Sequence, residues 1–316
     1  MTGPDAPDGP ARRGLTRRAL ARHASWFGAA VGLSVVGGEV TRQLAGGTST
    51  ASAAPAPDLR FVQVSDSHIG FRGTANPDVT GSFQRAIAQV NALPYQPDFV
   101  MHTGDLTHLS TPAQFDQVKQ MMSGMRAGSL HTVPGEHDSV DDHGKAYRAA
   151  FGAGSAGEGW YSFDIRGIHV IALVNTFSLE ALGHLGPDQL DFVRTDVANL
   201  SADTPIIVFS HIPLFAMYQK WGWGTDDAVT ALGYLRRFSS VTCLNGHVHQ
   251  LFTKREGNVT FHSATTTAYP LPAPGQGPAP VPLTLPAGRL AGALGIRAVV
   301  YQQVNSVPSI TDSGLA

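Results

Sequence analysis

The sequence predicts an α/β fold, and two patterns support that prediction. Short apolar runs alternate along the chain with amphipathic stretches of helical period, which is typical of domains whose strands and helices follow one another. Two further pairs of apolar runs are separated only by tight turns, which predicts β-hairpins. A hairpin joins antiparallel strands, so we expect the sheets of this fold to be mixed.

The first part of the predicted core consists of three buried strands with two helices between them. Thr111-Pro112 provides an N-cap and a first-turn proline for the second helix. The three strands are Leu59–Val64, Phe99–His102 and Leu130–Val133. The expected inward faces hold Phe83, Ile87 and Val90 in the first helix, and Phe115, Val118 and Met122 in the second.

The second part of the predicted core begins with a hairpin that turns at Arg166-Gly167. Gly186-Pro187 opens the helix that follows, with Leu190, Val193 and Val197 expected to face inward. The strands of the hairpin are Trp160–Ile165 and Ile168–Val174. The remaining predicted elements are strands at Pro205–Phe209 and Val241–Leu244, a helix near Asp227–Phe238, a hairpin of Leu251–Lys254 with Val259–His262, and a last strand near Ile296–Val304. We expect the final residues to be frayed.

The composition describes a globular chain that can bury a substantial core, with 42% hydrophobic and 15% charged residues. A formal net charge of -2 gives no electrostatic reason to expect a nucleic acid as partner. We expect a single domain over residues 54–316. Residues 270–286 hold seven prolines, which excludes a helix or central strand there and predicts an ordered or semi-ordered loop.

Residues 1–53 are interpreted as an export signal and linker. Thr16-Arg17-Arg18-Ala19-Leu20 resembles a twin-arginine signal, and the apolar stretch from 24 to 36 is too short to span a bilayer of roughly 30 Å. Ala51-Ser52-Ala53 offers a cleavage site. These features predict a periplasmic or secreted protein, delivered by the export machinery and without a stable membrane span. A basic tail without targeting function is the alternative.

Five short clusters of chemically active side chains each follow a predicted strand. The clusters are Asp66-Ser67-His68, Gly104-Asp105, Gly135-Glu136-His137-Asp138, Ser210-His211-Ile212-Pro213 and Asn245-Gly246-His247-Val248-His249. Loops at the carboxyl ends of strands are where α/β folds collect binding groups. A single such cluster is more typical of a hydrogen-bonded turn, but five in this order predict one site. Carboxylates mixed with imidazoles suit Mn, Fe or Zn, and this many ligands can hold two ions.

From about Phe61 to His249, this ordered set of motifs resembles the calcineurin-like metallophosphoesterase family, and the short loops resemble its bacterial phosphodiesterase branch. The resemblance implies a four-layer α/β sandwich, in which helices flank two mixed sheets. It also implies a first metal ion on Asp66, His68 and His249, a bridging Asp105, and a second ion on residue 136, His211 and His247.

The same resemblance gives His137 a catalytic role. This imidazole would protonate the leaving oxygen or steady the charge on the phosphoryl group. Asp138 is the next residue and is the natural group to orient His137. A protein that only stores metal has no need of a leaving-group acid, so both residues favour an enzyme.

Glu136 departs from the family, which normally has asparagine at this position. Its carboxylate would lower the formal charge of a site with two divalent ions and a hydroxide from roughly +1 to roughly 0. A ferric ion would restore the charge, which favours a mixed pair of iron and a divalent metal. Three interpretations remain open: a carboxylate ligand with altered metal preference, a weakened second site, or a site that no longer serves hydrolysis.

Several other residues have two possible interpretations. His102, His108, His131 and His262 flank the motif strands and are either partners of the ligands or core and rim residues. His169 and His184 are expected at surface or hairpin positions, and Cys243 as a small buried residue. Trp221-Gly222-Trp223-Gly224 either covers the pocket or tucks onto the core.

The sequence therefore predicts an exported phosphoesterase with two metal ions, which cleaves a small phosphate mono- or diester by attack of a metal-activated hydroxide. One alternative is a metal-binding or sensor protein that keeps the fold but has little turnover because of Glu136. Another is a metal-dependent hydrolase of a bond other than a phosphate ester.

Overall fold

The computed structural model describes residues 58–177, 181–302 and 308–315. The strands in chain order are β1 (Leu59–Val64), β2 (Phe99–Thr103), β3 (Ser129–Val133), β4 (Tyr161–Ile165), β5 (Ile168–Ala172), β6 (Ile206–Ser210), β7 (Val241–Asn245), β8 (Phe252–Glu256), β9 (Val259–Ser263), β10 (Gly295–Tyr301) and β11 (Pro308–Gly314). The helices are α1 (Val79–Asn91), α2 (Pro112–Met122), α3 (Lys145–Phe151), α4 (Pro187–Asp196), α5 (Ala228–Leu235) and α6 (Leu290–Ala293). The expected export segment lies outside the described residues.

These strands form two mixed sheets. The first sheet has the order β11-β10-β1-β2-β3, and the second has the order β4-β5-β6-β7-β9-β8. In the first sheet, β1, β2 and β3 are parallel, while β10 and β11 are antiparallel to their neighbours. In the second sheet, β5, β6, β7 and β9 are parallel, and the hairpin partners β4 and β8 are antiparallel. The predicted mixed sheets are thus confirmed.

The two sheets pack face to face, and helices cover their outer surfaces. Between the sheets, Phe61 of β1 stacks on Phe99 of β2 at 4.7 Å and meets Phe209 of β6 edge-on at 5.7 Å between ring centroids. These rings are fully buried, and truncation of one such ring to alanine costs about 3–5 kcal/mol. On the outer face of the first sheet, α1 and α2 bury Phe83 and Phe115. The sandwich predicted from the family resemblance is therefore confirmed.

Three details of the fold differ from the prediction. Helix α3 was not predicted; it has only seven residues and buries Tyr147 alone. Residues 308–314 form the edge strand β11 instead of fraying, because their backbone pairs with β10 and Asp312 accepts from the buried Arg297 of β10 at 2.8 Å. In α4, Gln189 is buried instead of Leu190, which is only partly buried. The Gln189 amide is satisfied there by both backbone groups of Val174, at 2.6 and 2.7 Å.

Residues 270–286 contain neither helix nor strand, as predicted. This loop is tied to the rest of the fold by hydrogen bonds, including Thr74 to Thr284 at 3.2 Å between hydroxyls and Gln250 Nε2 to the carbonyl of Pro272 at 2.6 Å. Within the part of the chain that the structure describes, no helix is both long and apolar enough to cross a bilayer.

Candidate metal centre

The seven residues predicted to bind metal lie together at the carboxyl ends of parallel strands of both sheets. The loops after β1, β2 and β3 supply Asp66, His68, Asp105 and Glu136, and those after β6 and β7 supply His211, His247 and His249. Because parallel strands end at a common edge, residues far apart in sequence meet there. The backbone N–H of His247, 181 residues from Asp66, donates to the Asp66 carboxylate at 3.1 Å.

The first group of ligands consists of Asp66, His68 and His249, all of which are buried. The Nε2 atom of His249 lies 3.3 Å from Asp66 Oδ1 and 3.3 Å from His68 Nε2. The other ring nitrogen of His249 donates to the carbonyl of Tyr269 at 2.5 Å, which leaves Nε2 with a free lone pair. A carboxylate oxygen and two imidazole nitrogens therefore converge on one point.

The second group consists of Glu136, His211 and His247. Glu136 Oε2 lies 2.8 Å from His211 Nε2, and Glu136 Oε1 lies 2.9 Å from His247 Nδ1. In the described part of the chain, Glu136 Oε2, His211 Nε2 and both ring nitrogens of His247 are buried atoms without a hydrogen-bond partner. Buried polar atoms are rarely left unpaired, and a cation held among these atoms satisfies them together. The sequence left three interpretations of Glu136 open, and this geometry favours a ligand.

Asp105 lies between the two groups. Its Oδ2 atom is 3.4 Å from His68 Nε2 in the first group and 3.4 Å from His211 Nε2 in the second. Its other oxygen accepts the backbone N–H of His137 at 2.9 Å, which fixes the carboxylate. His211 is fixed by its Nδ1 atom, which donates to the carbonyl of Thr103 at 2.7 Å. One carboxylate oxygen is thus placed to bridge two ions.

The charge of the site fits bound cations. Asp66, Asp105 and Glu136 bring three carboxylates to one cluster, and of these three only Glu136 is more than marginally exposed. Burial acts to raise the pKa of Glu136, but the His247 and His211 imidazoles outweigh burial and hold this pKa well below its usual value. Burial similarly acts to lower the pKa of His211, and the Asp105 and Glu136 carboxylates raise it well above its usual value. The three carboxylates are therefore stable in this cluster only beside positive charge, which metal ions or protons provide.

The backbone of the site is strained. Five of the seven ligands have positive φ angles between 42° and 68°, namely Asp66, His68, Asp105, His247 and His249. A residue held in such a backbone conformation costs of order 1–3 kcal/mol of folding free energy, and residues of this kind cluster at functional sites. The glycines before the ligands are required for close packing. A Cβ atom at Gly104, where φ is 94°, would lie 2.3 Å from His211 Nδ1, and one at Gly135 would lie 2.0 Å from Asp105 Oδ1.

His137 lies beside both groups. Its ring stacks on His108 with centroids 4.7 Å apart, and its Nδ1 atom donates to the carbonyl of His108 at 2.8 Å. Burial acts to lower the pKa of His137, but the Asp105 and Glu136 carboxylates raise it above its usual value. The protonated imidazole is therefore favoured, as an acid requires.

The structure corrects the prediction that Asp138 orients His137. The Asp138 carboxylate accepts from the backbone N–H groups of Gly135, Leu106 and Thr107 and from the Thr107 hydroxyl, at 2.8 to 3.0 Å. It therefore ties the loop after β3 to the loop after β2, while the His108 carbonyl orients His137. Sequence adjacency favoured Asp138 because a backbone carbonyl leaves no trace in the residue type.

Two neighbours of the ligands could not be identified from the sequence. His108, one of four histidines with two interpretations, places its Nδ1 atom 3.5 Å from His68 Nδ1. Tyr269 was not predicted; it accepts from His249 and stacks on His68 with centroids 4.8 Å apart. Its position at the start of the proline-rich loop was the available signal.

The remaining side chains with two interpretations take structural positions. His102 is fully buried against Ser67 at 2.9 Å, and burial lowers its pKa to about 3. His131 stacks on Phe163, and His262 contacts Thr253. Cys243 is buried, as predicted. Trp223 is buried with its ring 5.2 Å from that of Trp221, so it packs into the protein instead of covering the pocket.

The profile of the family described as calcineurin-like phosphoesterase matches residues 59–251, which carry all seven ligands and His137. The chain belongs to this family. Membership assigns the chain to the metal-dependent phosphoester hydrolases and implies a dinuclear metal centre. The two groups of converging carboxylate oxygens and imidazole nitrogens match such a centre.

Relatives in sequence are phosphodiesterases by name. A probable glycerophosphodiester phosphodiesterase of Arcobacter nitrofigilis is 23% identical over 201 residues, which cover 61% of this chain and 72% of the relative. A probable cyclic nucleotide phosphodiesterase of Synechococcus is 26% identical and covers 68% of this chain and 83% of the relative. A third, from Rhodopseudomonas palustris, is 25% identical over 50% of this chain, and the match spans only 58% of that relative.

Solved structures share the fold. A dimetal phosphatase from Danio rerio aligns with a TM-score of 0.55 at 13% identity, over 83% of this chain and 100% of that one. A purple acid phosphatase from yellow lupin aligns with a TM-score of 0.56 at 14% identity, over 84% of this chain and 55% of that one.

Proposed function

We propose that this chain is an exported phosphodiesterase that hydrolyses a small phosphodiester at two metal ions. The observation that carries the proposal is the position of Asp105 Oδ2, at 3.4 Å from an imidazole nitrogen of each ligand group. Relatives named for cyclic nucleotides and glycerophosphodiesters support a diester over a monoester.

Each residue of the site has a separate role in this reaction. When bound, two metal ions supply a nucleophilic water of lowered pKa and neutralise charge on the phosphoryl oxygens. Asp105 holds the shared position, and Glu136 adds a negative charge to the second group only. His137 has one ring nitrogen engaged by His108, so Nε2 is the nitrogen left to give a proton to the leaving oxygen. The close stacking of His108 keeps the ring of His137 in place.

The metal identities follow from the charge of the ligands. With Glu136 as a ligand, the second group has a carboxylate where the family normally offers a neutral amide. A carboxylate favours a harder and more highly charged ion, so we propose iron paired with manganese, zinc or a second iron. The position of His137 beside both groups argues for turnover over a sensor that merely binds metal.

The activity assay uses the full chain reconstituted with metal. We expect hydrolysis of bis(p-nitrophenyl) phosphate to exceed that of p-nitrophenyl phosphate, and a chelator to abolish both. Absence of hydrolysis of either ester by protein that holds two ions per chain would remove the phosphoesterase proposal. Hydrolysis of the monoester alone would leave the class intact and remove the diesterase.

Export is a separate part of the proposal. It rests on Arg17-Arg18 and the short apolar stretch that follows them, in residues outside the described part of the chain. A twin-arginine route transports folded proteins and would deliver the enzyme to the periplasm or the medium with its metals already bound. Metal loading in the cytoplasm protects a weaker-binding ion from competition by copper or zinc outside.

A further inference from the structure

Tyr269 packs against the first group of candidate ligands. Its ring stacks on that of His68 with centroids 4.8 Å apart, and it contacts the ring of His249 at 5.0 Å. It also contacts the ring of Phe71 at 4.3 Å, and the residue as a whole is only 4% exposed. The hydroxyl is bonded directly to this ring, so it lies close to the same two imidazoles.

The backbone on both sides of Tyr269 is held by hydrogen bonds. The carbonyl of Ala268 accepts from Asn76 Nδ2 at 2.6 Å. The carbonyl of Leu271 accepts from Gln250 Nε2 at 3.2 Å. These bonds fix the start of the proline-rich loop beside the metal centre, so the phenol is already in place before a substrate binds.

The Tyr269 hydroxyl makes no hydrogen bond to the part of the chain that the structure describes. A buried tyrosine usually finds a partner for its hydroxyl within the protein. Tyr161 shows the usual arrangement, since its hydroxyl donates to the carbonyl of Thr132 at 2.9 Å. Among the described residues, the Tyr269 hydroxyl is thus an unused hydrogen-bond donor beside the candidate ligands.

The charges around the phenol come from both ligand groups. Burial raises the pKa of Tyr269, and the Asp105, Asp66 and Glu136 carboxylates raise it further, so all three lie within electrostatic range of the hydroxyl. A phenol with an ordinary pKa of about 10 is already protonated at neutral pH. The hydroxyl is therefore able to donate a hydrogen bond under the conditions of an assay.

We propose that the Tyr269 hydroxyl donates a hydrogen bond to a non-bridging phosphoryl oxygen of the substrate, which makes Tyr269 a further catalytic residue. This inference rests on the proposed phosphodiesterase function, in which the phosphoryl group binds at the metal ions. The phosphoryl oxygens carry the negative charge of a diester, so they are the strongest acceptors that such a substrate brings to this place.

The position of His137 supports this assignment. The ring of His68 contacts Tyr269 on stacking and His137 edge-on, the latter with centroids 4.8 Å apart. Two donors thus lie beside one ligand of the first group, His137 for the leaving oxygen and Tyr269 for an oxygen that stays on phosphorus. A donor held in place in this way stabilises the charge of the transition state.

Tyr269→Phe tests the proposal, because it removes the hydroxyl and keeps both the ring and the backbone carbonyl that accepts from His249. We expect kcat/KM for p-nitrophenyl ethyl phosphate to fall about 10- to 100-fold, the usual scale for a hydrogen bond to a charged group. The loss should be the same for phenyl ethyl phosphate, whose leaving group is poorer, which separates this role from proton donation by His137. Two metal ions per chain should be retained.

A second measurement does not depend on turnover. The affinity of the metal-loaded protein for inorganic phosphate, measured by calorimetry, should also fall in Tyr269→Phe. Tyr161→Phe is the matched control, since it removes a hydroxyl that has a partner within the protein. It should lower the midpoint of thermal unfolding and leave hydrolysis and phosphate affinity unchanged.

Equal kcat/KM and equal phosphate affinity in Tyr269→Phe and the unmodified protein would overturn the inference and leave the phosphodiesterase intact. Fewer than two ions per chain in Tyr269→Phe would make the phenol a metal ligand and overturn it as well. A loss that is larger for the phenyl ester would assign the hydroxyl to the leaving oxygen instead. If the unmodified protein hydrolyses neither ester, the proposed function fails, and the phosphate affinities of the two proteins alone decide the inference.

Discussion

Glu136 Oε2 lies 2.8 Å from His211 Nε2, and both atoms are buried without a hydrogen-bond partner among the described residues. A carboxylate and an imidazole at this separation share either a proton or a cation, and a cation held between them would satisfy both atoms. The same carboxylate reaches His247 with its other oxygen at 2.9 Å. Glu136 thus lies within the second group of candidate ligands, with one oxygen toward His211 and the other toward His247.

Glu136→Asn should shift the preference of the second site toward divalent metals. The substitution removes one negative charge from the ligands, so a ferric ion is less favoured and a water bound there loses its proton more easily. The acidic limb of the pH–rate profile should therefore move to lower pH. Metal analysis and pH–rate profiles of both proteins, loaded identically, provide the measurement.

Glu158→Gln serves as the control for Glu136→Asn. Glu158 is exposed, so its substitution removes the same negative charge away from the site. Unchanged metal content and an unchanged acidic limb in Glu136→Asn would mean that Glu136 does not bind metal. The second site would then be held by Asp105, His211 and His247 alone.

Asp105→Asn should abolish activity and lower the metal content together. Its Oδ2 atom serves both ligand groups, and an amide cannot supply a bridging negative oxygen. The measurement is the number of metal ions per chain beside the turnover number, with the exposed Asp203→Asn as control. Two ions per chain retained in Asp105→Asn would contradict the bridging position.

His137→Ala should keep both metals and lose turnover by roughly 10²–10⁴ on diesters with poor leaving groups. A nitrophenolate leaves without help from an acid, so its ester should be affected much less. The loss is therefore measured across a series of leaving groups, with His184→Ala, at a half-exposed histidine, as control. A uniform loss for good and poor leaving groups would argue against proton donation.

His169 should make the stability of the protein depend on pH. Its ring nitrogens lie 2.8 Å from Asp164 and 2.8 Å from Asp196, and it is buried in β5, a strand of the hairpin that was one of its two expected positions. Burial acts to lower the pKa of His169, but the hydrogen bonds to Asp196 and Asp164 outweigh burial and raise it above 6.5.

A raised pKa means that the folded protein holds this proton more tightly than the unfolded chain. The stabilisation from His169 is therefore complete below the unfolded pKa of about 6.5 and is lost as pH rises through the folded pKa. His169→Asn should cost about 1 kcal/mol at pH 5.5 and less at pH 8.5. Urea unfolding at both pH values measures the difference, and a cost that grows with pH would show the opposite sign.

Arg17→Lys combined with Arg18→Lys should trap the unprocessed precursor inside the cell, if the proposed twin-arginine route is used. The substitution keeps both positive charges, so it separates recognition of the arginine pair from a general need for basic residues. Fractionation of cells that express either protein gives the result. Normal export of the double variant would point to an ordinary secretory signal.

The sequence predicted the parts of the fold that depend on apolar periodicity. β1 and β2 are mostly buried and apolar, and α1 and α2 have amphipathic faces, so their positions followed from residue type alone. The third strand was also predicted to be buried, but β3 lies at the edge of its sheet and only Thr132 and Val133 are buried. β11 could not be predicted, since most of its side chains are polar and the strand is held by backbone pairing with β10, by the ion pair of Asp312 with Arg297, and by Ile310 alone among apolar side chains.

The candidate site was predictable for the same kind of reason. Its candidate metal ligands were identified by their side-chain chemistry at predicted strand ends, and all seven lie together in the structure. The groups that orient those ligands were not predictable, because the carbonyls of Thr103, His108 and Tyr269 belong to the backbone. Aspartate and histidine adopt positive φ angles more often than most residues do, but this tendency is too weak to predict which of them do so here.

The ligands come from loops of both sheets, and this arrangement has a consequence for the lifetime of the folded protein. Ions bound by Asp66 and His249, or by Asp105 and His211, would join the two layers of the sandwich at one edge. The layers could not separate while that coordination held, so release of the ions would precede the opening of the core. Unfolding of the metal-bound protein would then be governed by the rate of metal loss, a form of kinetic stability that the apolar core alone does not provide.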